Sequence, residues 1–312
     1  MYYNTDLLKT TDGEFICYYR WEANPSVPFK GVVQIVHGLG EHAGRYNHMA
    51  HLLQEEGYSV YANDHRAHGK TAEMNRLFGY YNGNEYFDDC IADMHALSNL
   101  MRSENPNSKF ILFGHSMGSL FSRKYVTKYG EELDALILSG TASFIKVIGN
   151  IGLVTASTVK AFKGRERGNA FLKDFFFGEF NKKFKPNRTK LDWISTDEKQ
   201  VDLFAEDPYR IEDFSLGVFL DIIKNSKKVN APEAFKATPK DLPILMFSGD
   251  KDPVGEMGKG VKRVAEQYKK IGINDFTFNL YEGGRHEMLN EINADAVKQE
   301  IIGWLNQRIK DE

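Results

Sequence analysis

Short apolar runs and helix-spaced apolar positions take turns along most of the chain. Residues 13–22 are rich in strand formers and predict an early antiparallel strand, and Gly31–Val36 predicts a second. Residues 45–56 read as a helix closed by Gly57, and residues 59–62 read as a third strand. Phe87, Ile91, Met94, Leu97 and Met101 mark one face of a helix that stops at Asn105-Pro106. The run Phe110 to Phe113 has the length of a buried strand, and Leu120, Phe121 and Tyr125 follow at helical spacing. Residues 135–139 and 243–248 predict two more buried strands. A helix carrying Met257, Val261, Val264, Ala265 and Tyr268, a strand over 276–281 and a last helix carrying Val297, Ile301, Trp304 and Leu305 complete the series.

Fully apolar strands alternating with helices imply an α/β fold, a mostly parallel sheet with helices on both faces. The alternation fails between Thr141 and Thr238, where Ile148, Ile151, Val154, Val159 and Phe162 fit one helical face. The expected organisation is therefore a core of residues 1–140 and 239–312 with an inserted helical cap over 141–238.

Composition narrows the function classes without choosing one. With 312 residues, 42% hydrophobic and 27% charged, the chain is long enough to bury a sizeable core. Its net charge of −3 gives no general attraction to nucleic acid. No apolar run approaches the ~20 residues of a membrane span, and the first residues carry neither a basic start nor an apolar core, so a cytoplasmic protein is expected. Cys17 and Cys90 lack metal spacing and are expected to be reduced.

The chemistry gathers after the strands, where open α/β sheets bind ligands. Gly114-His115-Ser116-Met117-Gly118 joins an apolar strand to a helix. Glycines two before and two after Ser116 leave room for a sharp turn that lifts its hydroxyl off the sheet. A serine hydroxyl needs a histidine base, and the histidine needs a carboxylate to fix its tautomer. Asp250 and Asp252 follow the strand at 243–248, and His286 follows the last strand. The chain order Ser, Asp, His is that of an α/β-hydrolase. Both aspartates stay open as the acid at this level. Oxyanion donors are expected from the N–H of Met117 and from the loop His37-Gly38-Leu39-Gly40, with Leu39 the donor.

Four stretches, His37 to Tyr46, Asn63 to Gly69, Gly114 to Gly118 and Glu282 to Glu287, resemble the motif set of the monoacylglycerol lipase and lysophospholipase-like α/β-hydrolases. The resemblance implies Ser116 as nucleophile, Asp252 as acid, His286 as base, and Leu39 and Met117 as oxyanion donors. It places Glu41 and Arg45 near the polar head of the substrate, and it implies no cofactor and no metal. Ala67 departs from the family's glycine in a structural loop, where the change is expected to cost little.

The resemblance does not reach the insertion, which must choose the substrate. Phe171, Phe175, Phe176, Phe177, Phe180 and Phe184 crowd its middle, and residues 146–190 carry eleven Lys and Arg against three acidic residues. Most of these rings are expected to pack the cap onto the core. Phe176 and Phe177 are the candidates for an acyl-chain lining, under a basic outer face suited to transient contact with a lipid surface. The expected substrate is thus a small ester or lipid with an apolar acyl chain, and the oligomeric state is open. Three rivals remain: a short-chain carboxylesterase, a prolyl-type serine peptidase, and a ligand-binding receptor on a hydrolase fold. A zinc site built from His37, Glu41, His42, Asp64, His65 and His68 would leave the ordered Ser, Asp and His unexplained.

Overall fold

The computed structural model describes residues 3–144 and 179–309. Its strands are β1 (Asn4–Lys9), β2 (Phe15–Trp21), β3 (Gly31–Val36), β4 (Tyr58–Asn63), β5 (Phe110–His115), β6 (Ala135–Ser139), β7 (Ile244–Gly249) and β8 (Phe276–Tyr281). They form one sheet in the order β1-β2-β4-β3-β5-β6-β7-β8. β1 and β2 pair antiparallel with their neighbours, and the six strands from β4 to β8 run parallel.

The helices of five or more residues among those described are α1 (Asn47–Glu55), α2 (Gly69–Asn75), α3 (Tyr86–Glu104), α4 (Met117–Tyr129), α5 (Glu198–Ala205), α6 (Leu216–Val229), α7 (Pro232–Lys236), α8 (Lys259–Ile271) and α9 (Ala294–Arg308). Alternate residues of each central strand feed two separate cores. Val32, Val36, Phe110 and Leu112 pack with α3, α4, α6 and α8 on one face. Val33, Ile35, Ile111 and Phe113 pack with α1 and α9 on the other. Burial on both faces is why these strands read as unbroken apolar runs. The α/β fold implied by the alternation, a mostly parallel sheet covered on both faces, is the fold observed.

The differences from expectation are local. β1 carries the mixed sequence NTDLLK on an exposed edge, so no periodic signal marks it. α2 is a short helix after the Asn63–Gly69 loop, closed by Arg76 in the left-handed region at φ +56°. Met257 lies outside α8, because Met257 at φ +54° and Gly258 at φ +81° turn the chain before the helix begins. The helix expected from residue 45 opens as a single 3₁₀ turn, Ala43–Tyr46, before α1. Gly57 ends that unit at φ +93°, where a Cβ would come within 2.1 Å of the Pro28 carbonyl. The expected helical face at Ile148 to Phe162, and Phe171 to Phe177 with it, lie outside the described residues.

Candidate active site

β5 ends at His115, and α4 starts at Met117, so Ser116 makes the whole turn by itself. Its backbone sits at φ 52° and ψ −116°, a region that costs a non-glycine residue of order 1–3 kcal/mol. The flanking glycines make the turn possible. A Cβ on Gly118 would lie 2.0 Å from the Val36 carbonyl, and one on Gly114 would lie 2.3 Å from Ser122 Oγ. The Ser116 N–H holds the turn by donating to the Ser139 carbonyl at 2.9 Å.

The loop after β8 delivers His286 to this turn. The Ser116 hydroxyl donates to His286 Nε2 at 2.9 Å, and His286 Nδ1–H donates to Asp252 Oδ2 at 3.0 Å. Asp252 is fully buried in the loop after β7, and His286 is 4% exposed. Asp252 Oδ1 accepts the Val254 N–H at 2.8 Å, and Ser248 Oγ lies 3.2 Å from Oδ2. Burial alone would push the imidazole down. The adjoining Asp252 carboxylate and its hydrogen bond, with Glu287 and Glu41 farther off, more than offset it and lift His286 above the ordinary histidine value. His115, the residue before the serine, behaves oppositely. Burial and the neighbouring His286, with ring centres 4.8 Å apart, lower it to about 4, and its Nδ1 pairs with Ser139 Oγ at 3.1 Å.

The loop after β3 is hydrogen-bonded at nearly every polar atom. The Gly38 N–H donates to Glu41 Oε1 at 2.6 Å, and the Gly40 N–H donates to His68 Nε2 at 3.2 Å. The Gly38 carbonyl accepts from His37 Nδ1–H at 2.7 Å, and the Gly40 carbonyl accepts from the Ile211 N–H at 3.0 Å. His37 Nε2 accepts the His65 N–H at 3.0 Å, which fixes its tautomer. Because a trans peptide points its C=O and N–H opposite ways, anchoring the Gly38 carbonyl sets the direction of the Leu39 N–H. Among the described residues, neither the Leu39 nor the Met117 N–H has an acceptor within the protein. The rings of His37 and His68 thus brace this loop, and no metal-ligating group of three gathers among the described residues.

Glu41 and Arg45 form one cluster with a residue the sequence reading did not single out, Glu287. Arg45 Nη1 donates to Glu41 Oε2 at 2.6 Å, and its two terminal nitrogens hold Glu287 at 2.9 and 2.7 Å. Tyr46 donates to Glu41 Oε1 at 2.8 Å. Burial would raise both carboxyls, but the Arg45 guanidinium keeps each below the usual carboxylate range. A cavity lined by Glu41, Arg45, Tyr46, His115, Glu287 and Leu289 adjoins the cluster. Glu287 sits directly after His286, so its signal was position alone. Trp193, whose ring centre lies 5.2 Å from that of His286, gave no periodic signal at all. Phe176 and Phe177 lie outside the described residues.

The chain is similar to several known proteins. The family described as serine aminopeptidase, S33, matches residues 28–293. The monoacylglycerol lipase of Mycolicibacterium smegmatis is 27% identical over 297 residues, covering 94% of this chain and 93% of the relative. The monoglyceride lipase of Mus musculus is 24% identical over 306 residues, covering 97% and 90%. The crystal structure of a thermostable carboxyl esterase from Bacillus coagulans in complex with glycerol superposes with a TM-score of 0.92 at 28% identity, over 99% of this chain and 100% of that one. A matched span that starts before β3 and ends beyond His286 takes in every loop just described, and the chain belongs to the S33 serine aminopeptidase family, as a monoacylglycerol lipase-like α/β-hydrolase.

Proposed function

We propose that the chain is a serine carboxylic-ester hydrolase that works through an acyl-enzyme on glycerol esters with an apolar acyl chain. The observation that carries the reading is the unbroken hydrogen-bonded series from Ser116 Oγ through His286 to Asp252 at 2.9 and 3.0 Å. Ser116 Oγ attacks the ester carbonyl as its proton passes to His286 Nε2. Asp252 holds the other ring nitrogen and steadies the imidazolium. The oxyanion forms between the N–H groups of Leu39 and Met117, the latter at the positive end of α4. His286 returns the proton to the departing alcohol oxygen, and water then repeats the sequence against the acyl-enzyme to release the acid.

We assign Glu41 and Arg45 to the alcohol side of the site. Their charges are spent on Glu287, Tyr46 and the Gly38 N–H, so they shape that side more than they offer free charge. Residues 141–238 are read as the cap, with Phe176 and Phe177 lining the acyl chain and the basic stretch 146–190 meeting lipid surfaces. No helix among the described residues is long and apolar enough to cross a membrane. The two free, buried cysteines, Cys17 and Cys90, suit a reducing cytoplasm.

A rate profile over monoacylglycerols and synthetic esters tests the reading. Each methylene that finds apolar cover is worth roughly 0.8 kcal/mol, so kcat/KM should rise from two-carbon to medium-chain esters. Ser116→Ala should lose about a million-fold in turnover while its melting transition stays in place. A steady fall with each added methylene would leave a small-ester esterase. Hydrolysis undiminished in Ser116→Ala would remove the acyl-enzyme altogether.

A further inference from the structure

The loop that carries His286 is held along its length by the chain between β6 and β7. The Glu287 N–H donates to the Ile194 carbonyl at 2.8 Å, and Ser195 Oγ donates to the Asn290 carbonyl at 2.8 Å. Arg285 Nη1 donates to the Ser195 carbonyl at 3.0 Å and to that of Asp192, while the Thr196 N–H reaches Glu291 Oε2 at 3.0 Å. Inside this strap the Trp193 ring lies against the imidazole of His286, 5.2 Å between centres at 36°. The Phe180 ring centre lies 5.2 Å from that of the indole, and the Trp193 backbone N–H donates to Asn181 Oδ1 at 3.1 Å.

We propose that Trp193 is a positioning residue for the hydrolytic reaction, whose indole face stabilises the imidazolium that His286 becomes. The inference rests on the reading of His286 as general base. When Ser116 Oγ bonds to the carbonyl carbon, its proton moves to Nε2, and the ring gains a positive charge. The proton leaves again with the alcohol oxygen. An aromatic face within about 6 Å of a cation attracts it through the ring quadrupole, most strongly for indole and most when water is kept away. The face is present before the charge appears, so its gain falls on the transition state and not on bound ester. An aliphatic side chain of similar reach would keep water out but supply no such attraction, which makes the two contributions separable.

The experiment uses the full chain with p-nitrophenyl acetate, a substrate too short to feel an acyl tunnel, and the variants Trp193→Phe, Trp193→Leu and Trp193→Ala. Trp193→Phe should stay close to wild type. Trp193→Leu and Trp193→Ala should lose about tenfold in kcat with KM little changed, the equivalent of ~1.4 kcal/mol in the barrier. A Leu variant as fast as the Phe variant would overturn the proposal. A second readout needs no turnover, since an imidazolium in contact quenches indole emission. Wild-type emission should drop as acid protonates His286, and the drop should vanish in Trp193→Phe, where only Trp21 and Trp304 remain. The imidazole also faces Asp252, Glu287, Glu41 and His115, all unaltered in these variants. A drop of unchanged size in Trp193→Phe would place the indole elsewhere and overturn the proposal. Wild-type hydrolysis that does not depend on Ser116 would instead sink the acyl-enzyme reading itself, so the two failures are told apart.

Discussion

Asp250 Oδ1 accepts the N–H of Gly283 at 2.8 Å, and so pins the loop after β8 three residues ahead of the histidine that Asp252 holds. The two aspartates the sequence left in competition therefore have different partners. One caps a loop, and the other faces the imidazole. Asp252→Asn leaves the shape but presents the wrong hydrogen-bonding partner to Nδ1, and should lower kcat by roughly 10⁴-fold. Asp250→Asn retains an acceptor oxygen for Gly283 and should stay within a few-fold of wild type. Kinetics on one ester decide it, and the reverse ranking would reassign the acid.

The pH profile should be displaced upward. His286 must be neutral to take the serine proton, and its carboxylate neighbours raise it above the ordinary imidazole value near ~6.5. The acid limb of kcat/KM should therefore sit above ~6.5, and Asp252→Asn should move any residual limb down. A wild-type limb centred below about 6 would mean that the carboxylates around His286 do not raise it.

Acid should also weaken the fold, through different histidines. His37, His65 and His68 are completely buried and held neutral, with burial the first cause in each. His68 falls to about 4. A base whose folded value lies below its unfolded one contributes stability that is present above ~6.5 and lost as pH falls toward the folded value. The slope is up to about 1.4 kcal/mol per pH unit for each histidine. His286, raised in the fold, works the opposite way, its share being lost as pH rises through its folded value. Urea midpoints should fall steadily from pH 6.5 to 5, and a flat series over that interval would discount the buried cluster.

Two residues in the left-handed region give a paired stability test. Arg76 closes α2 at φ +56° with an exposed side chain, so Arg76→Gly should stabilise by roughly 0.5–1 kcal/mol. Ala67 sits at φ +67° but is buried, and its methyl group packs in the core on the α3 face. Relief of strain and loss of a buried methyl, about 0.8 kcal/mol, then oppose each other, and Ala67→Gly should be near neutral. Equal gains at both sites would show that the Ala67 methyl contributes nothing, and a loss at Arg76 would reject the strain argument.

The fold was legible because its strands are buried on both faces, leaving runs such as Phe110 to Phe113 with no polar interruption. The site was legible where backbone geometry forces residue identity, as at Gly114 and Gly118, whose absent side chains let β5 and α4 pass. β1 escaped notice because an exposed edge imposes no pattern. Glu287 and Trp193 escaped it because their importance lies in contacts between distant segments, Glu287 with Arg45 and Trp193 with His286, which no spacing along the chain encodes.

The strap from Asp192 to Thr196 bears on how such enzymes could be recombined. If residues 141–238 were exchanged whole for the corresponding segment of a relative, the new segment would have to bring a carbonyl for the Glu287 N–H and an oxygen acceptor for Arg285, at the positions of Ile194 and Ser195. A swap that ends before Asp192 keeps the native strap, and a swap through Thr196 replaces the contacts that hold the His286 loop along with the segment proposed as the cap. Substrate preference and turnover should therefore be inherited separately, according to which side of Asp192 the crossover falls.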